Sequence, residues 1–161
     1  MITHFSLPAK SLISKELLTH ATETYNWVPY YSFLVTPVPE KILDRDPFLV
    51  KLSKKRKFQS GILKMEPDTC YNWHVDTDRK VGLNMLLMGQ DSQCLFLNGE
   101  PGLVFKTKEL EYEADTYYVF NTQVPHMVLN GKGPRYLFSL EFVDLTFNDL
   151  CEDIKGMNHG Y

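Results

Sequence analysis

Beyond residue 58 the chain settles into short runs in which apolar and polar residues alternate, the period-2 pattern of strands with one buried face. The runs cover residues 59–65, 70–75, 81–88, 94–97, 103–107, 117–120, 126–130 and 135–142. Turn-forming residues separate them: Pro67-Asp68, Gly89-Gln90-Asp91, Asn98-Gly99-Glu100-Pro101-Gly102 and Gly131-Lys132-Gly133-Pro134. Eight short strands with no helix between them predict a mainly β fold, a double-sheet jelly roll or cupin-like barrel.

The first third reads differently. Leu17, Leu18, Ala21 and Tyr25 recur at helical spacing and predict a helix over 14–27, with Ser14 as its cap. Residues 28–50 hold Pro29, Pro37, Pro39 and Pro47 and no sustained period, so an extended segment wrapping the strands is expected. Five of the seven residues 51–57 are basic, which reads as a solvated edge or loop more readily than as a binding patch. Residues 145–155 predict one short helix. The expected organisation is a single domain over 1–161: a helical and extended wrapping segment (1–58), a strand core (59–142) and a tail (143–161).

Strand parity sharpens the picture. His74 and Asp76 are two apart and share a face with Asn72, while Tyr71, Trp73 and Val75 take the other face. If Gly131-Lys132 is a two-residue turn, His126 falls opposite Leu137 and Arg135 lies one pleat away, on the same face as Ser139 and Glu141. The reverse face carries Tyr136, Phe138, Leu140 and Phe142, four bulky apolar side chains that need a cover, and the N-terminal helix is the expected one.

Composition excludes several classes. The chain has 161 residues, room for one domain with a sizeable core. With 43% hydrophobic and 23% charged residues it is not globally disordered, and its nine tyrosines and ten phenylalanines favour sheets. A net charge of −3 argues against a nucleic-acid partner. No apolar run approaches the ~20 residues needed to span a bilayer, and the first residues lack the layout of a secretory leader. Cys70, Cys94 and Cys151 are widely spaced and form no Cys-x-x-Cys pair, as expected of reduced thiols in a cytoplasmic protein. Oligomeric state leaves no trace in the sequence.

Candidate chemistry concentrates in Trp73-His74-Val75-Asp76, Pro125-His126 and Arg135. Two imidazoles and one carboxylate can occupy one face of a metal and leave the other open, a donor set suited to non-haem Fe(II). Arg135 adds a cation able to grip a carboxylate through two parallel hydrogen bonds. His-x-Asp alone is a weak signal in a chain with five histidines, and a pair of solvated residues at a strand end is its bland reading. Asp78 competes with Asp76 as a ligand, but the spacing favours Asp76. Arg79 and Lys80 fit either a solvated hairpin or an anchor for an anionic substrate. Asn84, polar in an apolar strand, is either a pocket donor or a satisfied core amide. His4, His20 and His159 lie in the terminal regions, away from this set.

At Trp73-His74-Val75-Asp76, Pro125-His126 and Arg135-Tyr136-Leu137-Phe138-Ser139 the chain resembles the Fe(II)/2-oxoglutarate-dependent oxygenases. The likeness covers roughly residues 59–142. His74-Val75-Asp76-Thr77-Asp78-Arg79-Lys80, followed by Leu83-Asn84, is similar to small members near the prolyl and aspartyl/asparaginyl hydroxylase branches. The resemblance implies a double-stranded β-helix with a flanking N-terminal helix and a short C-terminal helix. It implies iron ligation by His74, Asp76 and His126 and binding of the far carboxylate of 2-oxoglutarate by Arg135, with Asn84 and Ser139 as further cosubstrate candidates. Some branches carry a hydroxyl two residues after the arginine, where this chain has Leu137. The implied reaction uses Fe(II), 2-oxoglutarate and O2, releases succinate and CO2, and hydroxylates a C–H bond of a small molecule or a peptide. Two other readings stay open: another metal-dependent cupin enzyme, although the His-x-His pair with a glutamate is absent, and a non-catalytic jelly-roll binding protein.

Overall fold

The period-2 pattern of the final strand sets the layering of the molecule. In the computed structural model, which describes residues 1–99 and 105–158, Tyr136, Phe138, Leu140 and Phe142 are buried in one apolar cluster with Leu17 and Ala21 of the first helix. The alternate residues Arg135, Leu137 and Ser139 face away from the helices. Each such apolar burial contributes roughly 1.5–3 kcal/mol, enough to fix the strand's facing.

The elements in chain order are β1 (His4–Lys10), α1 (Ser14–Glu23), β2 (Val28–Tyr30), β3 (Phe33–Pro37), α2 (Glu40–Leu43), α3 (Pro47–Lys55), β4 (Phe58–Met65), β5 (Cys70–His74), β6 (Gly82–Met88), β7 (Gln93–Asn98), β8 (Lys106–Glu109), β9 (Thr116–Phe120), β10 (His126–Leu129), β11 (Arg135–Phe142) and α4 (Phe147–Asn158). The strands form two antiparallel sheets. One has seven strands in the order β1-β9-β6-β11-β4-β3-β2, the other four in the order β5-β10-β7-β8. Met65, Phe96, Tyr118, Phe120 and Val128 pack between them, while α1, α3 and α4 cover the outer face of the larger sheet. This is the expected double-stranded β-helix with its flanking helices. No helix among the described residues is long and apolar enough to cross a membrane.

Several expectations change. The helix ends at Glu23, and Tyr25 lies beyond it, 96% exposed, so the contact stripe is Leu17 and Ala21 with Leu18 at its edge. Ser14 is the first helical residue rather than the cap, and its hydroxyl turns to Asp115. Residues 28–50 do not merely wrap: β2 and β3 extend the large sheet beyond β4, and α3 follows. Asp46 caps α3 by accepting from Phe48 N and Leu49 N at 3.0 and 3.4 Å, and its other oxygen accepts from Tyr117 at 2.9 Å. A cap of this kind is worth about 1 kcal/mol, and Pro47 suits the first helical position. The basic run is mostly the exposed end of α3, where Lys55 and Arg56 pair with Asp153 of α4. Leu103 and Val104, the first residues of the strand expected over 103–107, lie outside the described residues, and β8 runs from Lys106.

The proposed hairpin at Gly131-Lys132 is not formed. β10 pairs with β5 and β7 in the small sheet, whereas β11 pairs with β4 and β6 in the large one. His126 is therefore opposite His74 and Phe96, not Leu137. Residues 130–134 carry the chain from one sheet to the other. Asn130 anchors that crossing, its Nδ2 donating to the carbonyls of Glu66 and Gly133 at 2.8 and 3.0 Å.

Candidate metal centre and cavity

β5 and β10 run side by side, so His74 at the end of one is the direct cross-strand partner of His126 at the start of the other. Their ring centroids are 4.2 Å apart. Each ring is oriented from behind. His74 Nδ1 lies 2.6 Å from the Asn72 carbonyl and His126 Nδ1 2.9 Å from the Val124 carbonyl. A carbonyl only accepts, so both Nδ1 atoms carry the proton and both Nε2 atoms present a lone pair. Those lone pairs converge on Asp76: its Oδ1 is 3.4 Å from His74 Nε2 and 3.6 Å from His126 Nε2. One ligand atom from each residue lies within 4.8 Å of the others, a group able to hold a metal ion. Asp76 itself follows β5, pinned by its N–H to the Thr122 carbonyl at 3.2 Å.

The parity expected around His74 is reversed at Tyr71. Between Tyr71 and His74 the β5 strand carries one residue more than its partner, since Val128 pairs with Tyr71 while His126 pairs with His74. The bulge brings Tyr71 onto the histidine face, its ring centroid 3.9 Å from that of His74, and turns Trp73 outward. Bulges re-aim side chains beside functional sites in this way.

Electrostatics suit metal ligation. Burial pushes the Asp76 carboxyl up, but His74 beside it and the charge of Arg79 outweigh it and hold the carboxyl down at about 2. Burial, with His74 alongside, lowers His126 to about 4. Both groups are therefore in their ligating forms at neutral pH. Cys94, also on the cavity wall, is pushed up by burial to about 11 and remains a thiol.

The cavity behind this centre has a volume of about 240 Å³ and runs between the sheets. His74, Asp76, His126, Asn84 and Arg135 all line it. Arg135 is 2% exposed, and its Nε donates to Ser92 Oγ at 3.0 Å. No carboxylate among the described residues pairs with it, an exceptional state for a buried cation. Beside it stands Tyr112, whose ring lies 5.9 Å from the guanidinium carbon. Burial raises the Tyr112 hydroxyl far above the usual tyrosine range, so it is a donor, and it makes no well-formed hydrogen bond with any described residue. A buried cation with no carboxylate partner among the described residues and a buried hydroxyl thus face one cavity.

Of the remaining candidates, Asn84 is buried on the cavity wall and its Oδ1 accepts from Ser139 Oγ at 2.8 Å. Ser139 shares the β11 face of Arg135 and Leu137 but does not itself line the cavity. Arg79 is drawn inward by Asp76 and Ser139 rather than solvated in a hairpin, whereas Lys80 is exposed. Asp78 is bound by the Tyr31 hydroxyl at the mouth. Lys64 points elsewhere and pairs with Glu66 at 2.7 Å. Sequence reasoning missed Tyr112, Tyr71, Tyr30 and Tyr31. Tyr112 sits between Glu111 and Glu113 in a segment with no strand pattern, and nothing local marks it.

No family model matches the chain, and no curated protein matches it. Solved structures do. A prolyl-4-hydroxylase from Pseudomonas putida is 16% identical, with 88% of this chain and 92% of that one covered at a TM-score of 0.59. A prolyl hydroxylase from Trichoplax adhaerens, solved with a hypoxia inducible factor peptide fragment, is 15% identical over 96% and 86% at a TM-score of 0.64. A viral collagen prolyl hydroxylase from Paramecium Bursaria Chlorella virus-1, solved with 2-oxoglutarate, is 12% identical over 90% and 97% at a TM-score of 0.61. At these identities the likeness establishes a shared fold.

Proposed function

We propose that the chain is an Fe(II)- and 2-oxoglutarate-dependent dioxygenase that hydroxylates a C–H bond of an amino-acid side chain or small metabolite, consuming O2 and releasing succinate and CO2. The observation that carries this reading is Arg135: a buried cation, unpaired by any described carboxylate, in the same cavity as His74, Asp76 and His126. A metal site alone does not need it. A dicarboxylate cosubstrate does, because its far carboxylate supplies the missing anion and an acceptor for Tyr112.

His74, Asp76 and His126 would hold the iron. Their donor set of two nitrogens and one oxygen lacks the soft thiolate that favours copper or structural zinc. When bound, iron and 2-oxoglutarate together supply the oxidising chemistry. This chain's residues orient and enclose. The Asn72 and Val124 carbonyls fix the histidine tautomers. Arg135 and Tyr112 fix the cosubstrate's far end. Phe33, Leu63, Val128 and Leu137 keep water from the middle of the cavity. Tyr30, Tyr31, Val75 and Asp78 form the mouth, where substrate enters. The peptide bound by the Trichoplax adhaerens enzyme supports a peptide as one candidate substrate. The chain acts as one domain, and its three free cysteines support a cytoplasmic setting.

Anaerobic titration tests the reading. Protein loaded with Fe(II) is expected to develop a weak visible charge-transfer band on adding 2-oxoglutarate, and candidate substrates are expected to stimulate succinate release. Fe(II) uptake without the band points to a different metal-dependent cupin enzyme. No Fe(II) uptake leaves a binding protein.

A further inference from the structure

Arg79 touches the metal-binding group directly. Its Nε donates to Asp76 Oδ2 at 2.6 Å, and its Nη1 donates to Ser139 Oγ at 3.1 Å. Ser139 is itself held, donating to Asn84 Oδ1 at 2.8 Å on the neighbouring strand β6. The backbone carbonyl of Arg79 accepts from Thr122 Oγ1 at 2.7 Å and from Gln123 Nε2 at 3.1 Å. Gly82 leaves room for the side chain, since a Cβ there would lie 3.3 Å from Nη1. The guanidinium is thus fixed at both ends, between the segment that follows β5 and the wall formed by β6 and β11.

The result is a divided carboxylate. Asp76 Oδ2 is occupied by Arg79, while Oδ1 alone lies toward the two histidine Nε2 atoms. A carboxylate that gives a metal both oxygens takes two coordination positions, and one that gives a single oxygen takes one. The distinction matters here. Two nitrogens and one oxygen leave three positions on a six-coordinate ion, the number needed for a cosubstrate with two donor atoms and for O2. A second oxygen from Asp76 would remove one of them.

We propose that Arg79 is a positioning residue that keeps Asp76 a one-oxygen ligand and so reserves the positions needed by cosubstrate and O2. This rests on the oxygenase reading. Arg79 acts through Asp76 and does not touch the reacting atoms. Ser139 then belongs to the same device, as the support that stops the guanidinium swinging away. A purely structural Arg79, tying a loop to a sheet, would affect stability and loosen every ligand together. The positioning role separates the two ligands, because removing a cation that competes for the carboxylate does not weaken the metal.

The test compares wild type, Arg79→Gln and Ser139→Ala as metal-free full chains, titrated anaerobically with Co(II) and then with 2-oxoglutarate. The Co(II) absorption spectrum reports coordination independently of turnover. For Arg79→Gln the expected result is Co(II) affinity retained or raised, an altered Co(II) spectrum, and 2-oxoglutarate affinity reduced about tenfold or more. Ser139→Ala, a smaller change that covers the case in which Arg79→Gln fails to fold, is expected to reduce cosubstrate affinity about threefold with Co(II) affinity retained. Wild-type affinities for both ligands in the variants overturn the proposal. So does parallel loss of both affinities with a lowered unfolding midpoint, which marks a structural role. Wild-type protein that takes up no Co(II) overturns the oxygenase reading and this inference with it, whereas the first two outcomes leave that reading standing.

Discussion

Gly89→Ala puts a methyl group where the chain has no room for one. Gly89 has φ of +111°, a conformation that L side chains rarely adopt, and a Cβ there would lie 2.9 Å from both Cβ and Cγ of Arg135 and 3.0 Å from its Cα. The backbone term is about 1–3 kcal/mol. Overpacking adds roughly 1–3 kcal/mol, because the neighbours are the Cα of Arg135 and the base of its buried side chain, which are fixed to β11 and cannot swing aside. The sum, about 2–6 kcal/mol, is a large part of the 5–15 kcal/mol by which domains are stable. The displacement also falls on the arginine itself. Ser92, which accepts from Arg135 Nε, is bonded back to the Gly89 carbonyl through both its N–H and its hydroxyl, so the turn and the guanidinium move together. Cosubstrate affinity is therefore expected to fall about tenfold or more, a size consistent with sub-ångström errors in a binding constellation. Fe(II) affinity is expected to hold, since its proposed ligands His74, Asp76 and His126 lie in or beside the other sheet. Urea denaturation and anaerobic 2-oxoglutarate titration of the Fe(II)-loaded variant measure both effects. Gly133→Ala is the control: nothing lies within 4 Å of its added Cβ, and a change within about 0.5 kcal/mol is expected. A Gly89→Ala protein as stable as the control, with unchanged cosubstrate binding, would refute the packing argument and the role of Arg135 together.

Arg135→Lys keeps the charge but loses the planar fork, so 2-oxoglutarate binding should weaken without vanishing, and unchanged affinity by the same titration would remove Arg135 from the site. Phe138→Ala empties a fully buried position under α1 and α4 and should cost about 3–5 kcal/mol by urea denaturation, with Fe(II) stoichiometry of the folded fraction unchanged. The metal-free protein should lose stability as pH falls from 6.5 toward 4. There the folded state, with His126 lowered to about 4, binds fewer protons than the unfolded chain, whose histidine titrates near 6.5. His126→Asn should shrink that limb, to which His4, also lowered by burial, contributes, but not the further loss below about 3.8 that Asp76 shares with Asp149 and Asp153, and urea midpoints at pH 7, 5 and 3 separate the two.

What was legible in the sequence follows the range of the interactions involved. His74, Asp76, His126 and Arg135 stood out because their chemistry is specific and their spacings match the two-residue and strand-to-strand intervals of one cavity. Phe138 and its apolar neighbours stood out because period 2 is a local property. The first three strands did not. His4–Lys10 contains Pro8 and little alternation, Val28–Tyr30 is three residues long, and both are strands only because a partner already lies there. Asp46-Pro47, by contrast, carries a readable helix start, a capping carboxylate followed by a proline at the first position, which the prolines around it obscured.

The two errors of register differ in consequence, and the difference is physical. The expected hairpin between residues 126 and 137 does not exist, yet Arg135 faces the cavity as anticipated. Its facing never depended on the hairpin. The even residues of β11 are apolar and must be buried under the helices, so the odd residues face the other way whichever strand lies beside them. The parity argument at β5 had no such anchor. Tyr71, Trp73 and Val75 are more apolar than Asn72, His74 and Asp76 opposite them, but no residue of β5 is fully buried, and one inserted residue was enough to bring Tyr71 beside His74 and turn Trp73 to solvent. A strand's facing can be read from sequence where burial of one face is worth several kcal/mol. Near the candidate metal centre, where both faces of β5 are partly exposed, the bulge decides, and the bulge is set by pairing with β10, more than fifty residues away.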